Sequence, residues 1–270
     1  MSATTLCSAK AGFRSRALHY YQAYWRQGLG NWTPGNCPAR PEELRLLQRH
    51  LRPGMTVLDV GCGDGRLAGK VLELGANYVG VDLAFEAAAA CRKRGAVACV
   101  ADVEESLPFR EAQFHVVLGF ELLEHLFLPE RCLSDIRRIL RPDGWLVGSV
   151  PNIAFWPNRL LMACGYFNPG GSPYTSLDAP WRDPHLRFFT FPTLRRLFRD
   201  AGFTQCRLTG EHFHWSALPV LYRLADRAPR RLAGAGLGLG WLGRLWPTLF
   251  APHIYFEVQH GRSSLASHVR

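Results

Sequence analysis

The eight cysteines of this 270-residue chain form no Cys-x-x-Cys pair. Cys7, Cys37, Cys62, Cys91, Cys99, Cys132, Cys164 and Cys206 also lack the Cys/His spacing of zinc fingers or ribbons, so no metal site is expected. They read as small buried hydrophobes kept in a reducing compartment. No run of about 18 or more apolar residues occurs, which speaks against a bilayer-spanning helix. Residues 1–17 lack the apolar stretch of a secretory signal, and the expectation is a cytoplasmic protein. Acids are the scarcer charge, 22 against 32 Lys and Arg, giving a formal net charge of +10 with histidine neutral. Eleven arginines fall between Arg182 and Arg244. Such a half fits anionic lipid, nucleic acid or an acidic substrate, and equally a solvated face. No internal repeat is found.

What is present centres on Val57-Leu58-Asp59-Val60-Gly61-Cys62-Gly63-Asp64-Gly65, an apolar strand running into a glycine turn that carries two carboxylates. Glycines there supply positive φ and let a ligand lie on bare backbone. A dinucleotide site would set pyrophosphate against the next helix, where Asp59 and Asp64 would repel it. The third small residue of the dinucleotide pattern should also stand where Arg66 is. A sulfonium nucleoside, cationic and free of phosphate, suits these acids better. Further strands follow in order. Tyr78 to Asp82 ends in an acid 17 residues past Gly65, placed for ribose hydroxyls, and Val97 to Asp102 ends in an acid placed for adenine. Phe114 to Gly119 and Trp145 to Val150 supply the fourth and fifth, the last closed by Pro151-Asn152.

These runs resemble the class I S-adenosylmethionine-dependent methyltransferases, in the group that includes ubiquinone-biosynthesis and methionine-biosynthesis methyltransferase-like proteins. VLDVGCGDGRLA, VGVDLA, ADVEESLPF, FHVVLGFELLEHL, IRRILRPDGWLVGSVPN and HLRFFTFPTLRRLFRDAGF carry the resemblance across about residues 54 to 204. It implies an α/β fold: a Rossmann-like seven-stranded, mostly parallel sheet with an antiparallel last strand and helices on both faces. It implies S-adenosyl-L-methionine as cofactor. Asp59, Gly61 and Gly63 would hold the methionine part, Asp82 the ribose, and Asp102 with Val103 the adenine, with Leu83 also among the cofactor-binding residues. Phe120 would lie against the cofactor.

The organisation expected is an N-terminal helical cap over 1–53, a methyltransferase domain over 54–260 and a tail over 261–270. Leu18 to Trp25 suggests a helix with an aromatic face, and Pro41-Glu42-Glu43 opens a second with proline and acids where helices favour them. Crossover helices are expected at Ala84 to Arg94 and Pro129 to Leu140, and the βαβ alternation predicts a parallel sheet. Residues 151–189 form a long irregular segment after the fifth strand, which with the aromatic helix is expected to build the acceptor pocket. Thr193 to Ala201 reads as a helix, Phe203 to Leu208 as the sixth strand and Ile254 to Val258 as the seventh. Between them, 212–250 reads as a helical insertion, and its basic amphipathic part, 215–250, suggests either cap helices or peripheral membrane contact.

The candidate catalytic residue is His125 in Glu121-Leu122-Leu123-Glu124-His125, a general base for a hydroxyl acceptor. Four residues apart on a helical turn, Glu121 would share its face and orient the ring. His185 is a second candidate or a loop anchor, and His212 and His214 are further pocket candidates that lack the ligands of a metal site. Tyr20, Tyr21 and Trp25 offer π faces to a sulfonium, or simply form core. The expected function is methyl transfer to oxygen of a small acceptor, a biosynthetic intermediate or a lipid-linked precursor. The alternative is a cofactor-binding accessory protein acting through a partner enzyme. A nucleic-acid substrate is disfavoured: no RNA-binding module is appended, and Val150-Pro151-Asn152 does not supply the signature used on base amines.

Overall fold

The structure, a computed structural model, describes residues 17–26, 38–167, 183–211 and 245–261. Seven strands form a mixed sheet of order β3-β2-β1-β4-β5-β7-β6, with helices packed around it. The chain divides into two compact units, residues 1–109 and 110–270.

In the first unit, β1 (Thr56–Val60), β2 (Asn77–Asp82) and β3 (Val97–Val100) pair in parallel. Val57, Leu58 and Val60 are fully buried, as expected of a strand covered on both faces. Residues 17–26 form helix α1, followed by α2 (Pro41–His50), α3 (Ala68–Glu73) and α4 (Phe85–Lys93). Alanines 87 and 88 and Cys91 turn the buried face of α4, and small side chains let it approach the sheet closely. The third strand is shorter than the sequence suggests. It ends at Val100, and Asp102 lies two residues beyond it in a turn. Because β3 comes first in the sheet order, Cys99 is half-buried and does not belong to the core.

In the second unit, β4 (Phe114–Phe120) pairs in parallel with β5 (Leu140–Pro151), while β7 (His253–Gln259) runs antiparallel to both β5 and β6 (Gln205–Gly210). The fifth strand begins five residues earlier than expected and shifts register across the Asp143-Gly144 turn. Cys132, Leu133, Ile136 and Ile139 repeat at helical spacing along α5 (Pro129–Ile139) and are fully buried. In α7 (Phe191–Asp200), Thr190 caps the first turn, and Phe198 packs its ring against Phe203 and Phe256 at 5.9 and 4.8 Å. The segment expected to be irregular after β5 contains a helix, α6 (Trp156–Ala163), opened by Pro157. Its buried Asn152 and Asn158 are structural: Asn152 Nδ2 donates to Ala251 O at 2.8 Å, and Asn158 Nδ2 donates to Asn152 O. The rest of that segment, 168–182, and most of the expected insertion, 212–244, lie outside the described residues, as do His212, His214, Cys7 and Cys37. The end of the insertion is the short helix Pro247–Phe250.

Candidate cofactor site and acceptor cluster

The first unit carries the glycine turn. Gly61, Gly63 and Gly65 take φ of 72°, 55° and 73°, values a side chain resists. Gly61 N and Cys62 N both donate to Val81 O, at 2.8 and 3.0 Å, which lashes the turn to the end of β2. The Asp82 carboxylate then organises what lies beyond: Oδ2 accepts from Gly63 N and Oδ1 from Ala84 N, each at 2.9 Å. Its pKa is nonetheless raised, because burial outweighs those bonds. Asp59 is buried and accepts the Tyr78 hydroxyl at 2.8 Å. Burial pushes its pKa from 3.8 up to about 7, with Tyr78 and Arg66 pulling the other way. A buried and a half-buried acid beside a bare-backbone turn fit a ligand that carries positive charge.

Asp64, read from the sequence as the turn's second cation-seeking acid, does not serve that purpose. Its Oδ2 meets Arg94 Nη2 at 2.7 Å, so its charge is already neutralised across the fold. Asp102 Oδ1 accepts from Glu104 N at 2.9 Å and stays half-buried, with Val103 buried next to it. Leu83 is half-buried after Asp82. Two features were not foreseen. Arg66, where a dinucleotide site wants a small residue, sends both terminal nitrogens to the two oxygens of fully buried Glu43, each at 2.6 Å. Glu43 also accepts from Arg40 N at 2.8 Å, so α2 is bolted to the glycine turn. The second is the contact of Trp25, already a π-face candidate in the sequence, with Gly63, on which its ring packs. Nothing local in the sequence links residues 38 positions apart.

The second unit carries the acceptor candidates, at the carboxyl ends of β4 and β5, where open α/β sheets bind ligands. Phe120 is buried there. Glu121 follows with φ of 52°, a left-handed backbone that a non-glycine residue adopts at some cost. This corrects the expected pairing of Glu121 with His125 on one helical face, because only Leu123–His125 is helical and Glu121 precedes it. Its carboxylate instead accepts the Ser149 hydroxyl at 2.6 Å and lies 3.5 Å from His253 Nε2, whose Nδ1 sits 2.6 Å from Glu211 Oε2. The members come from β4, β5, β7 and the end of β6, too scattered for a motif to reveal.

His125 instead faces His185, with ring centroids 4.6 Å apart, and Glu124 Oε1 is 3.9 Å from Nε2 of each. Glu124 is buried, and its carbonyl accepts from Leu186 N and Arg187 N at 2.7 and 3.0 Å, fastening the 183–188 segment in place. Asp183 Oδ1 is 2.8 Å from His185 Nδ1, and its pKa is lowered by His185 against the effect of burial. Burial, then His185, lowers the His125 pKa to about 4. One ligand atom from each of Glu124, His125 and His185 lies within 4.8 Å of the others, a spacing that a single cation can bridge. The sequence reading, which expected no metal, considered these histidines one at a time.

Comparison with known proteins matches residues 35–207 to the family described as a methyltransferase domain. A ubiquinone biosynthesis O-methyltransferase of Burkholderia pseudomallei is 29% identical over 182 residues, covering 64% of this chain and 75% of that protein. A probable S-adenosylmethionine-dependent methyltransferase of Mycobacterium tuberculosis is 29% identical over 215 residues, 78% of this chain and 70% of that protein. Among solved structures, a phosphoethanolamine N-methyltransferase 2 of Haemonchus contortus in complex with S-adenosyl-L-methionine aligns with a TM-score of 0.55 at 18% identity. That alignment covers 90% of this chain and 56% of that one. A methyltransferase from Archaeoglobus fulgidus aligns with a TM-score of 0.56 at 18% identity, over 81% of this chain and 91% of its own. At such identities the solved structures bear on the fold alone. The strand order with its antiparallel end, the glycine turn and the family match converge: this chain belongs to the methyltransferase-domain family and is a class I S-adenosylmethionine-dependent methyltransferase.

Proposed function

We propose that the chain methylates a hydroxyl oxygen of a small organic acceptor. The observation that carries this reading is the cluster of buried Glu124 with half-buried His125 and His185, braced by Asp183. A neutral amine attacks through its own lone pair, whereas a hydroxyl must give up its proton as it attacks, and this cluster concentrates groups that handle protons or acidify oxygen. The O-methylating relatives in ubiquinone biosynthesis support the same choice.

The cofactor is assigned to the residues singled out above. Asp59, Gly61 and Gly63 hold its methionine part, Asp82 and Leu83 its ribose, Asp102 and Val103 its adenine, and Phe120 lies against it. When bound, it supplies an electrophilic methyl on a sulfonium, already an excellent leaving group. The protein's own task is to hold the acceptor oxygen in line and to remove its proton, and positioning alone is worth about 7 kcal/mol or more. His125 is the candidate base, with His185 beside it.

A second reading is favoured by one observation, the 4.8 Å clustering of ligand atoms. Two imidazoles and a carboxylate are a donor set for a divalent first-row cation, and Asp183 on His185 supplies the outer carboxylate that such histidines use. The cluster would then lower the acceptor's pKa through the ion. A lipid-linked acceptor and membrane contact rest on 215–250, nearly all of it outside the described residues, and among the described residues no helix is long and apolar enough to cross a membrane.

The test is incubation with cofactor labelled in its methyl group and a metabolite extract, followed by mass spectrometry with fragmentation. Label on a hydroxyl oxygen is expected, and label on nitrogen or carbon would overturn the proposal. A parallel incubation with a chelator separates the readings: loss of transfer, restored by a divalent ion, selects the second.

A further inference from the structure

Helix α1 lies against the cofactor turn. A Cβ built on Gly63 would stand 3.0 Å from Trp25 Cζ2 and 3.1 Å from Cη2, so the six-membered edge of the indole rests on bare turn backbone. The ring is held there from two sides. Tyr24 meets it edge-on at 5.8 Å, and Arg26, the next residue, pairs with Glu86 in the first turn of α4. Trp25 itself is half-buried, whereas Tyr20 on the same helix is exposed. The turn on which this ring is set also carries buried Asp59 before it and half-buried Asp82 bonded to Gly63 N, so its surroundings are acidic and π-electron-rich.

We propose that the Trp25 indole is a wall of the cofactor pocket and recognises the sulfonium charge of S-adenosylmethionine. The inference rests on the glycine turn holding the methionine part, and not on which atom accepts the methyl group. A cation within about 6 Å of an indole centroid is attracted by the ring's quadrupole, most strongly where water is excluded. Methyl transfer turns the sulfonium into a neutral thioether. The wall therefore grips the reactant and loosens on the demethylated product, S-adenosylhomocysteine, which favours its release after each turnover.

The experiment is calorimetric titration of both nucleosides into wild type, Trp25→Leu and Trp25→Phe, with thermal melting as the folding control. Trp25→Leu should weaken S-adenosylmethionine about tenfold while changing S-adenosylhomocysteine less than about twofold, and Trp25→Phe should restore most of the difference. Equal weakening of both ligands would reduce the ring to an apolar lid and overturn charge recognition. Unchanged affinities would remove Trp25 from the pocket altogether. Should Trp25→Leu fail to fold, the full chain grown with difluorotryptophan keeps the shape and drains the ring's negative face. Its S-adenosylmethionine affinity should fall while the S-adenosylhomocysteine affinity holds, and an unmoved ratio would again overturn the proposal. Loss of both affinities in Asp82→Ala with no change in Trp25→Leu would leave the turn assignment standing and sink the aromatic wall alone.

Discussion

Tyr78 donates its hydroxyl to Asp59 Oδ2 at 2.8 Å across neighbouring strands, stabilising a carboxylate that burial otherwise drives toward protonation. The pKa of Asp59 in the folded chain is about 7, above its ordinary 3.8, so folding favours the protonated acid. The stability this contributes is fully present below about pH 4 and is lost as pH rises through 7. The cofactor-free protein should therefore melt at a lower temperature at pH 8 than at pH 5, by at most about 3 kcal/mol of stability from this group. Asp59→Asn should flatten that part of the profile in differential scanning calorimetry, and an unaltered slope would remove Asp59 as its source.

As the proposed ligand of the methionine part, the same acid should link cofactor binding to protons. A cation brought beside Asp59 favours its charged form, so binding near pH 6 should release a proton and affinity should climb toward pH 8. Binding heats measured in buffers of different ionisation enthalpy should diverge at pH 6 and converge at pH 8.5. Identical heats in all buffers at pH 6 would refute the link.

Asp82 holds the turn through two backbone N–H groups as well as being the expected ribose ligand. Asp82→Ala should weaken S-adenosylmethionine binding about 100-fold or more, since charge-assisted bonds are each worth about 1.5–3 kcal/mol. Near-native affinity by calorimetry would relocate the pocket.

Breaking the Glu43–Arg66 pair should be costly in stability. Glu43 is fully buried, and Glu43→Ala leaves the largely buried Arg66 guanidinium without its two-pronged partner, a loss of about 3–5 kcal/mol in urea unfolding. The double variant Glu43→Leu/Arg66→Met should recover much of that loss, which a role confined to helix propensity would not reproduce.

In the second unit, His125→Ala and His185→Ala should leave cofactor affinity within about twofold and lower kcat by about 10²-fold or more on the acceptor that the labelling experiment finds. Wild-type turnover in His125→Ala would end its candidacy as a catalytic residue.

Much of this was legible in the sequence because it is local. Val57 to Gly65 is a contiguous strand and turn, and the apolar spacing of α5 names its own buried face. The acids at the strand ends were readable by position, though Asp102 proved to sit past β3, and Asp64 was claimed by Arg94. Contacts made by folding were not readable. Glu121 and His125 are four apart, and helical spacing suggested a shared face, but a left-handed backbone at Glu121 sends its carboxylate toward Ser149 and His253. His185 meets His125 only because two backbone N–H groups of the next residues bind the Glu124 carbonyl. Register decides such meetings, and register is a property of the assembled sheet.

Beneath the cofactor turn, a Cβ on Gly65 would strike the Cys91 sulfur at 2.6 Å, and one on Gly80 would strike the Cys62 sulfur at 2.7 Å. The two thiols occupy the hollows that the two missing side chains leave. A side chain at either glycine would therefore need a smaller residue than cysteine opposite it, so the two thiols act here as space-filling plugs rather than as reactive groups.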